Sequence, residues 1–338
     1  MTVKEEISLR TVAAAAERIQ GHAHKTVVLT SATLSSLFGR DPSTDATRTL
    51  LFKCENFQRV GAFKFRGAFN AVSRLCQETP ELAAKGIVTH SSGNHGQAVA
   101  LAAKLNGVPA YVVMPSTAPQ VKKDAVKGYG ATVVECVPTL QAREDTAAKV
   151  INETGATFIH PYNHPDVISG QGTLALEFLK QAEELGHPLD ALIAPVGGGG
   201  MLSGCITAAK AINPNIRIFA AEPLGANDCA QSFQSKTFIP SVAPKSIADG
   251  LLTSLGSLTW PIIRDNVEDV RTVTEDNIIK ATRLIWERMK IIVEPSAAVP
   301  AAVALFDEEF KSLHGLNNVG IVFSGGNVDM EKLPWLRS

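Results

Sequence analysis

Cysteine is scarce in this sequence, and its placement excludes two classes of stabilised small domain. The five cysteines, Cys54, Cys76, Cys136, Cys205 and Cys229, are odd in number, scattered along the chain and lack any C-x-x-C pair. Such spacing predicts neither a disulfide framework nor a structural zinc site. A reducing, cytoplasmic compartment agrees best with this cysteine usage.

The sequence also lacks an excess of positive or negative charge and any long uninterrupted apolar run. The 32 basic residues balance 33 acidic ones, and there is no basic block of the kind that binds nucleic acid. The first ten residues carry Lys4, Glu5 and Glu6 and no apolar run, so a secretory signal is not expected. The longest uncharged stretch, residues 191–209, contains Pro195 and a run of four glycines, which argue against a lipid-embedded helix. We therefore expect a small-molecule partner and no membrane or nucleic-acid partner.

The sequence does contain an alternation of apolar strands and amphipathic helices. Its 338 residues, 45% of them hydrophobic, predict about two domains with buried cores. Successive strand-then-helix units predict α/β domains with parallel sheets. We expect a large domain formed by residues 1–76 and 164–338, with a smaller domain, residues 77–163, inserted in it. The predicted strands are 50–54, 87–90, 110–114, 132–135, 190–196, 217–221 and 319–323, and the predicted helices are 9–23 capped by Ser8, 64–76, 96–105, 120–127, 140–152, one that follows the glycine run and ends at 212, and 275–290.

Residues 56–68 contain the side chain that we take as the centre of the chemistry. Lys64 lies between Phe63 and Phe65, and aromatic neighbours that partly desolvate an ammonium favour the neutral amine that attacks an aldehyde or carbonyl. Lys64 is therefore a candidate Schiff-base lysine. The alternative is structural: Lys64 begins a helix that continues to Cys76, with its stem on the aromatic rings and its head in water.

Four loops that each follow a predicted strand carry polar or glycine-rich sequences. Ligands of open α/β sheets collect beyond the carboxyl ends of the strands, so we expect these loops to share one site. The first loop is Ser91-Ser92-Gly93-Asn94-His95-Gly96. Hydroxyls, an amide and backbone N–H groups at a helix N-terminus suit a carboxylate, although a plain helix cap by Ser91, Ser92 or Asn94 explains the same residues.

The second loop, called the glycine loop below, is Gly197-Gly198-Gly199-Gly200. Backbone without side chains wraps closely around an anion, and the dipole of the following helix favours a phosphate. Four glycines cost too much chain entropy to be expected in a mere connection, so phosphate binding is the functional prediction. The second and fourth glycines, with Ser203 and Glu222, also imitate a dinucleotide fingerprint. The alternative is therefore a nicotinamide-dependent oxidoreductase or another nucleotide-binding module.

The third and fourth loops follow two later strands. Residues 222–228 place two carboxylates six positions apart around a Pro-Leu-Gly turn. With backbone carbonyls these carboxylates form an oxygen set that suits a hard divalent cation, while the alternative is that Asn227 or Asp228 caps the next helix. The fourth loop, Ser324-Gly325-Gly326-Asn327, ends the last strand with a hydroxyl, and on its own it is explained by a turn.

As an ordered set, these stretches resemble the serine racemases, a family of fold-type II pyridoxal-phosphate enzymes related to the serine/threonine dehydratases. The resemblance extends from about residue 13 to residue 329. It implies two open α/β domains of the tryptophan synthase β-like type, the smaller inserted in the larger. The matching segments are Phe63-Lys64-Phe65-Arg66-Gly67, the Ser91 to Gly96 loop, the glycine loop, residues 222–228, Glu294-Pro295 and Ser324-Gly325-Gly326-Asn327.

The resemblance implies a cofactor, pyridoxal 5′-phosphate, and assigns its contacts. Lys64 would bind the cofactor aldehyde covalently, Phe63 would cover the ring and Asn94 would bond the ring hydroxyl. Ser324 would face the pyridine nitrogen, where a neutral hydroxyl gives a weaker electron sink and disfavours transamination. The other cofactor-binding residues in this assignment are Gly197, Gly198, Gly199, Gly200, Met201 and Glu294.

The resemblance also implies how the substrate is handled. Racemisation requires removal of the α-proton on one face and its return on the other, hence two bases, and these would be Lys64 and Ser92. Loss of the β-hydroxyl from the same carbanion would give pyruvate and ammonia. The substrate carboxylate would lie on Ser91, Ser92, Asn94 and His95.

Two further ligands follow from the resemblance. Glu222, the Ala226 carbonyl and Asp228 would bind Mg²⁺, Ca²⁺ or Mn²⁺. Some relatives bind ATP at a subunit interface as an allosteric activator, and the matching positions are Arg59, Gln97 and Tyr129. Arg59 stands where a lysine is common in animal enzymes, which places nucleotide regulation in doubt. We also expect a homodimer.

One departure from the family pattern bears on the substrate. Tyr162-Asn163-His164 differs from the animal sequences and resembles the fungal ones. His164 or a nearby cation would bind a second carboxylate on the substrate, which favours threo-3-hydroxyaspartate as the substrate. The main functional prediction is thus racemisation of serine with β-elimination, and the second is a hydroxyaspartate or threonine dehydratase. The oxidoreductase alternative leaves Lys64 and Ser324 unexplained.

Overall fold

The computed structural model describes residues 6–91, 93–118, 120–333 and 335. Within these residues every predicted strand is present with ends that agree to within two residues, and three short strands, β1, β6 and β9, were not predicted. The strands are β1 Val28–Thr30, β2 Thr49–Cys54, β3 Ile87–His90, β4 Ala110–Pro115, β5 Thr132–Cys136, β6 Thr157–Phe158, β7 Ala191–Pro195, β8 Arg217–Pro223, β9 Asp269–Val273 and β10 Asn318–Phe323.

The helices alternate with these strands as expected for an α/β protein. The predicted helix 9–23 is capped by Ser8 but ends at Ile19, so its predicted end was wrong. The reason is Gly21, which adopts a left-handed φ of 77°. A glycine in this conformation readily terminates a helix. The helices are α1 Leu9–Ile19, α2 Ala32–Phe38, α3 Lys64–Glu78, α4 Pro80–Ala83, α5 Asn94–Asn106, α6 Gln120–Gly128, α7 Leu140–Thr154, α8 Pro165–Glu184, α9 Gly200–Ile212, α10 Asp228–Ser235, α11 Thr259–Asn266, α12 Glu275–Met289, α13 Pro295–Phe306 and α14 Glu308–Lys311.

The larger sheet has the strand order β1-β2-β10-β7-β8-β9 over the described residues. Strand β1 pairs antiparallel with β2 at one edge, and the other pairs are parallel. Strand β7 is buried along its whole length, which explains its uninterrupted apolar sequence, because a parallel sheet covered by helices has no solvated face.

The smaller sheet has the order β5-β4-β3-β6, and its pairs are all parallel in the part of the chain that the structure describes. Its strands fall between residues 87 and 158, inside the segment predicted to form the inserted domain. The predicted fold class, two open α/β units with parallel sheets, is confirmed. The domain limits at residues 77 and 163 stay a prediction.

Two long buried helices were not predicted from the sequence. Helix α8 has 20 residues, of which twelve are buried, and α13 is buried over eleven of its twelve. Helix α13 has almost no exposed face and therefore lacks the polar stripe by which an amphipathic helix is recognised. Helix α8 packs closely on α9, because a Cβ at Gly204 would lie 2.3 Å from the carbonyl oxygen of Ile168. No helix in the described ranges has the length and apolar character needed to cross a membrane.

Candidate active site

Lys64 is the first residue of α3, and the turn before it is fixed to the end of β10. Val60 adopts a positive φ of 54°, which is rare for a β-branched residue. Ala62 bridges to Gly325, and the Phe63 N–H donates to the Ser324 carbonyl at 3.0 Å. The strand end and the beginning of the helix therefore hold Lys64 at the carboxyl edge of the larger sheet.

The ammonium of Lys64 is enclosed by protein. Its Nζ donates to the Pro161 carbonyl at 3.0 Å and lies 5.1 Å from the centre of the Phe63 ring. Burial lowers the pKa of Lys64 to about 8, while the nearby Glu294 carboxylate opposes the shift. Lys64 does begin a helix, as the structural alternative predicted, but its side chain is half-buried and its nitrogen donates to a backbone carbonyl. The surroundings produce the more nucleophilic amine that Schiff-base chemistry requires.

The glycine loop follows β7 and leads into α9. A Cβ at Gly198 would lie 2.3 Å from the ring of Tyr162, and Gly199 has a φ of 82°. The Thr259 hydroxyl donates to the Gly198 carbonyl at 2.9 Å, which fixes the loop from the outside. Side chains are therefore sterically excluded from the loop, which leads directly into the N-terminus of α9. Such a loop before a helix N-terminus suits an anion such as a phosphate.

Asn94, the first residue of α5, connects the two sheets. Its Nδ2 donates to both carboxylate oxygens of Glu294, at 3.0 and 3.2 Å, and its Oδ1 accepts from Asn327 at 2.9 Å. Glu294 is itself held through its N–H, which donates to the Gly325 carbonyl at 3.0 Å. Three sequence-predicted segments, the Ser91 to Gly96 loop, Glu294-Pro295 and the Ser324 to Asn327 loop, are thus brought together.

Glu294 lies in an electrostatically unusual position. Burial, with a smaller contribution from Asp249, raises the pKa of Glu294 to about 7, and the Asn94 amide opposes the shift. Asp249 pairs with Lys122 at 3.1 Å. Near pH 7 this carboxyl therefore exchanges readily between its neutral and charged forms.

The other predicted residues of the first loop are Ser91, Ser92 and His95. The Ser91 N–H continues the sheet by donating to the Val113 carbonyl, and the Ser91 hydroxyl accepts from the Gly93 N–H at 3.3 Å. His95 is buried, and its Nδ1 has no hydrogen-bond partner among the described residues. Burial and Lys64 hold the pKa of His95 well below the usual range, so its ring is neutral. The predicted second base, Ser92, lies outside the described residues.

Sequence analysis missed two residues of the site, His160 and Pro161. The Nδ1 of His160 accepts the N–H groups of Tyr162 and Asn163 at 3.3 and 2.9 Å, and burial lowers the pKa of His160 to about 4. A neutral ring with Nδ1 as acceptor carries its proton on Nε2. Both residues follow the two-residue strand β6, which is too short to be recognised from sequence periodicity.

The predicted metal ligands lie close together at the end of β8. Glu222 accepts the N–H groups of Cys229 and Ala230, both at 3.0 Å, and one carboxylate oxygen of Asp228 has no hydrogen-bond partner among the described residues. Burial raises the pKa of Glu222 to about 8 and that of Asp228 to about 6, and Asp228 adds to the Glu222 shift. Ala226 is buried beside them. In the described ranges no three His, Cys, Asp or Glu side chains form a metal cluster, so carbonyl or water oxygens would have to complete the coordination.

The positions predicted for ATP lie on three separate segments: the turn before α3, helix α5 and the residue that follows α6. Arg59 donates to the His22 carbonyl and lies 5.9 Å from the centre of the Phe65 ring. Gln97 is buried in α5, and Tyr129 packs against the core of the smaller sheet. The structure adds no ligand-directed contact among these residues.

Comparison with known proteins decides the family. A family model described as "Pyridoxal-phosphate dependent enzyme" matches residues 19–325. The chain belongs to this family. Serine racemase from Dictyostelium discoideum is 49% identical over 329 residues, which cover 97% of each chain. The solved structure of maize serine racemase has a TM-score of 0.91 at 44% identity and covers 98% of this chain and 97% of its own.

A third relative has a different activity in its name. A β-hydroxyaspartate dehydratase from Paracoccus denitrificans is 47% identical over 322 residues, 95% of this chain and 96% of that one. The family prediction is confirmed, and the oxidoreductase alternative is not supported.

The residues present fit pyridoxal phosphate, the cofactor of this family. The lysine is half-buried with a lowered pKa, and a Cβ added at any of the four glycines of the glycine loop would lie within 3 Å of protein atoms, so the loop accepts no side chain. Asn94 presents an amide donor whose other end is fixed. Ser324 is buried and directly follows β10, and its contact with the pyridine nitrogen stays a prediction.

Proposed function

We propose that this protein is a serine racemase that also eliminates water from serine. The observation that supports this proposal most is the half-buried amine of Lys64, with its pKa lowered to about 8, in a chain 49% identical to a serine racemase. Both observations are needed. A reactive lysine alone is compatible with many carbonyl chemistries, and sequence similarity alone does not identify the reacting group.

Each part of the site has a role in this proposal. Bound pyridoxal phosphate would withdraw electrons from the substrate Cα and acidify its proton. Lys64 would hold the cofactor and then carry the α-proton on one face, for which an amine that titrates near pH 8 is suited. The glycine loop and Met201 would hold the phosphate. Phe63, Asn94, Glu294 and Ser324 would surround the ring.

The opposite face of the substrate requires a second proton carrier. We propose Ser92 for this role, because it adjoins Ser91 and Asn94 in the loop at the start of α5. Backbone N–H groups at that helix start would hold the substrate carboxylate, together with the hydroxyls of Ser91 and Ser92 and the Asn94 amide. His95 would contribute its backbone N–H, since its ring is buried.

A divalent cation is the second ligand in the proposal. Two neighbouring buried carboxylates with raised pKa values are stabilised in their charged forms by a cation, and the oxygen set suits Mg²⁺, Ca²⁺ or Mn²⁺. Regulation by ATP through Arg59, Gln97 and Tyr129, a homodimeric assembly and a cytoplasmic location stay predictions from the resemblance and from cysteine usage.

A hydroxyaspartate dehydratase is the second candidate, favoured by the Paracoccus relative at 47% identity. His164, which we expected to meet a second carboxylate, instead caps α8 by accepting the Asp166 N–H at 3.2 Å. Burial lowers its pKa, so it offers no positive charge. Lys122 is a nearby cation but is paired with Asp249. The geometry therefore favours serine over a dicarboxylic substrate.

The test is the ratio of D-serine to pyruvate formed from L-serine by purified protein with pyridoxal phosphate and Mg²⁺, measured by chiral chromatography. We expect both products. Replacing Ser92 by Ala should suppress D-serine formation by at least about 100-fold, the usual contribution of a general acid or base. Pyruvate without D-serine in the unaltered protein would reject the racemase, and a higher kcat/KM for hydroxyaspartate than for serine would favour the second candidate.

A further inference from the structure

A chain of four polar groups crosses the edge where the two sheets meet. It begins at the Val60 carbonyl, passes through the side-chain amides of Asn327 and Asn94, and ends on the Glu294 carboxylate. The Nδ2 of Asn327 lies 2.7 Å from the Val60 oxygen and 2.9 Å from the Asn94 Oδ1. The Nδ2 of Asn94 lies 3.0 and 3.2 Å from the two Glu294 oxygens.

The first group of this chain fixes the direction of all the others. A backbone carbonyl only accepts hydrogen bonds, so the side chain of Asn327 must direct its NH₂ group toward Val60. The same NH₂ group then reaches Asn94, which has to present its oxygen. The NH₂ group of Asn94 is thereby directed toward Glu294, on the side where the cofactor ring is expected.

The turn at Val60 is held in a strained conformation that supports this arrangement. A β-branched residue at a φ of 54° is strained and persists only where its surroundings enforce it. The side chain of Asn327 fills the space beside the next residue, because a Cβ at Gly61 would lie 2.6 Å from the Asn327 Oδ1. The strained turn at Val60, the following Gly61 and the Asn327 side chain therefore pack together and support one another's conformation.

We propose that Asn327 is a positioning residue that sets the amide orientation of Asn94 and so keeps a hydrogen-bond donor directed at the cofactor ring. This inference rests on the proposed function, because it assumes that pyridoxal phosphate binds in the site of Lys64. Asn327 touches neither substrate nor cofactor in this scheme. With the Asn327 side chain removed, the Glu294 carboxyl is the remaining partner of the Asn94 amide. A protonated Glu294 can donate as well as accept, and the Asn94 amide is then able to rotate by 180° and present its oxygen to the ring hydroxyl instead.

The test is a double-mutant cycle on cofactor affinity, which does not depend on turnover. Pyridoxal phosphate is titrated into apoprotein, and the visible band of the lysine-bound cofactor is followed. We expect Asn94→Ala and Asn327→Ala each to raise the Kd by about tenfold, the value of one hydrogen bond to a polar ring. The double variant should lie within about twofold of Asn94→Ala, with the same visible spectrum, because Asn327 acts only through Asn94.

The matched control is Asn56→Ala. Asn56 also lies beside the Ser324 to Asn327 loop, since a Cβ at Gly326 would lie 3.1 Å from its Cβ, and its amide also donates to a backbone carbonyl, that of Ile292 at 3.0 Å. We expect a Kd within about twofold of the unaltered protein. A loss in Asn56→Ala as large as that in Asn327→Ala would indicate general loosening of this edge and overturn the proposal.

A nearly isosteric variant covers the case in which Asn327→Ala does not fold. In Asn327→Asp both side-chain oxygens are acceptors, so the chain of donors is reversed and the Kd should rise at least as much as in the alanine variant. Unaltered affinity in Asn327→Asp, or a fully additive loss of about 100-fold in the Asn94→Ala/Asn327→Ala double variant, would overturn the proposal while leaving the proposed function intact. Failure of the unaltered protein to develop the band would contradict both.

Discussion

The amine nitrogen of Lys64 lies 3.0 Å from the carbonyl oxygen of Pro161, a residue 97 positions further along the chain. The first belongs to the helix that follows the larger sheet's second strand, and the second follows the last strand of the smaller sheet. The reactive amine is therefore enclosed only when both sheets have formed. Its lowered pKa is a property of the junction between them.

This enclosure predicts the pH dependence of cofactor capture. Below a pH of about 8 Lys64 is protonated and unreactive, and above it the amine is neutral. The rate at which apoprotein forms the visible band with pyridoxal phosphate should thus rise with pH to a midpoint near 8, against about 10.4 for an ordinary lysine. Stopped-flow absorbance measures it, with Lys64→Ala as the control without a band. A midpoint near 10 would show that the amine is not desolvated.

The glycine loop predicts a steric defect with a matched control. A Cβ at Gly198 would lie 2.3 Å from the Tyr162 ring, so Gly198→Ala must displace either the loop or the ring. We expect the affinity for pyridoxal phosphate to fall by at least about tenfold, which corresponds to 1.4 kcal/mol. Gly128→Ala adds the same methyl group where nothing lies within 4 Å. Equal affinities in the two variants would argue against a phosphate role for the loop.

A buried ion network below the site predicts a large effect on stability. Arg66, two residues after Lys64, donates to both oxygens of Glu55 at 2.7 and 2.9 Å and to both oxygens of Glu177 at 2.8 Å. Removing the guanidinium leaves buried carboxylate charge uncompensated, so Arg66→Ala should lower the free energy of unfolding by about 3–5 kcal/mol. Urea denaturation measures this loss.

The control for this prediction is an exposed ion pair. Arg283 and Glu287 pair at 3.5 Å on the surface of α12, and such pairs contribute at most about 1 kcal/mol. Arg283→Ala should therefore shift the urea midpoint only slightly. Comparable shifts in the two variants would mean that the buried network is no more important than a surface pair.

Metal removal tests the two carboxylates at the end of β8. At 100 times its Kd, a cation that binds only the folded protein stabilises it by about 2.7 kcal/mol. Chelation should therefore lower the Tm of the unaltered protein, and Mg²⁺ should restore it. Asp228→Asn should abolish this dependence, while Asp265→Asn, which alters an exposed carboxylate paired with Arg264, should retain it. A Tm independent of Mg²⁺ in all three proteins would reject the site.

Much of the architecture follows from the sequence by itself. Short apolar runs and amphipathic segments have characteristic periods, so seven of the ten strands in the described residues and the helix that begins at Lys64 were predicted. Ligand loops were predicted because the carboxyl ends of parallel strands collect at one edge. The enzyme family followed from the order of several motifs together, and the family comparison confirms it.

Other features were decided by the tertiary structure alone. Helix α13 was missed because its buried surface leaves no polar stripe, and Pro161 was missed because β6 is only two residues long. The hydrogen bond between Asn94 and Asn327 joins residues 233 positions apart. Local periodicity carries no information about such pairs, because they meet only after the strand order of both sheets is set. The sequence thus determined which chemical groups the site contains, and the packing of the two sheets decided which groups touch and how strongly each is desolvated.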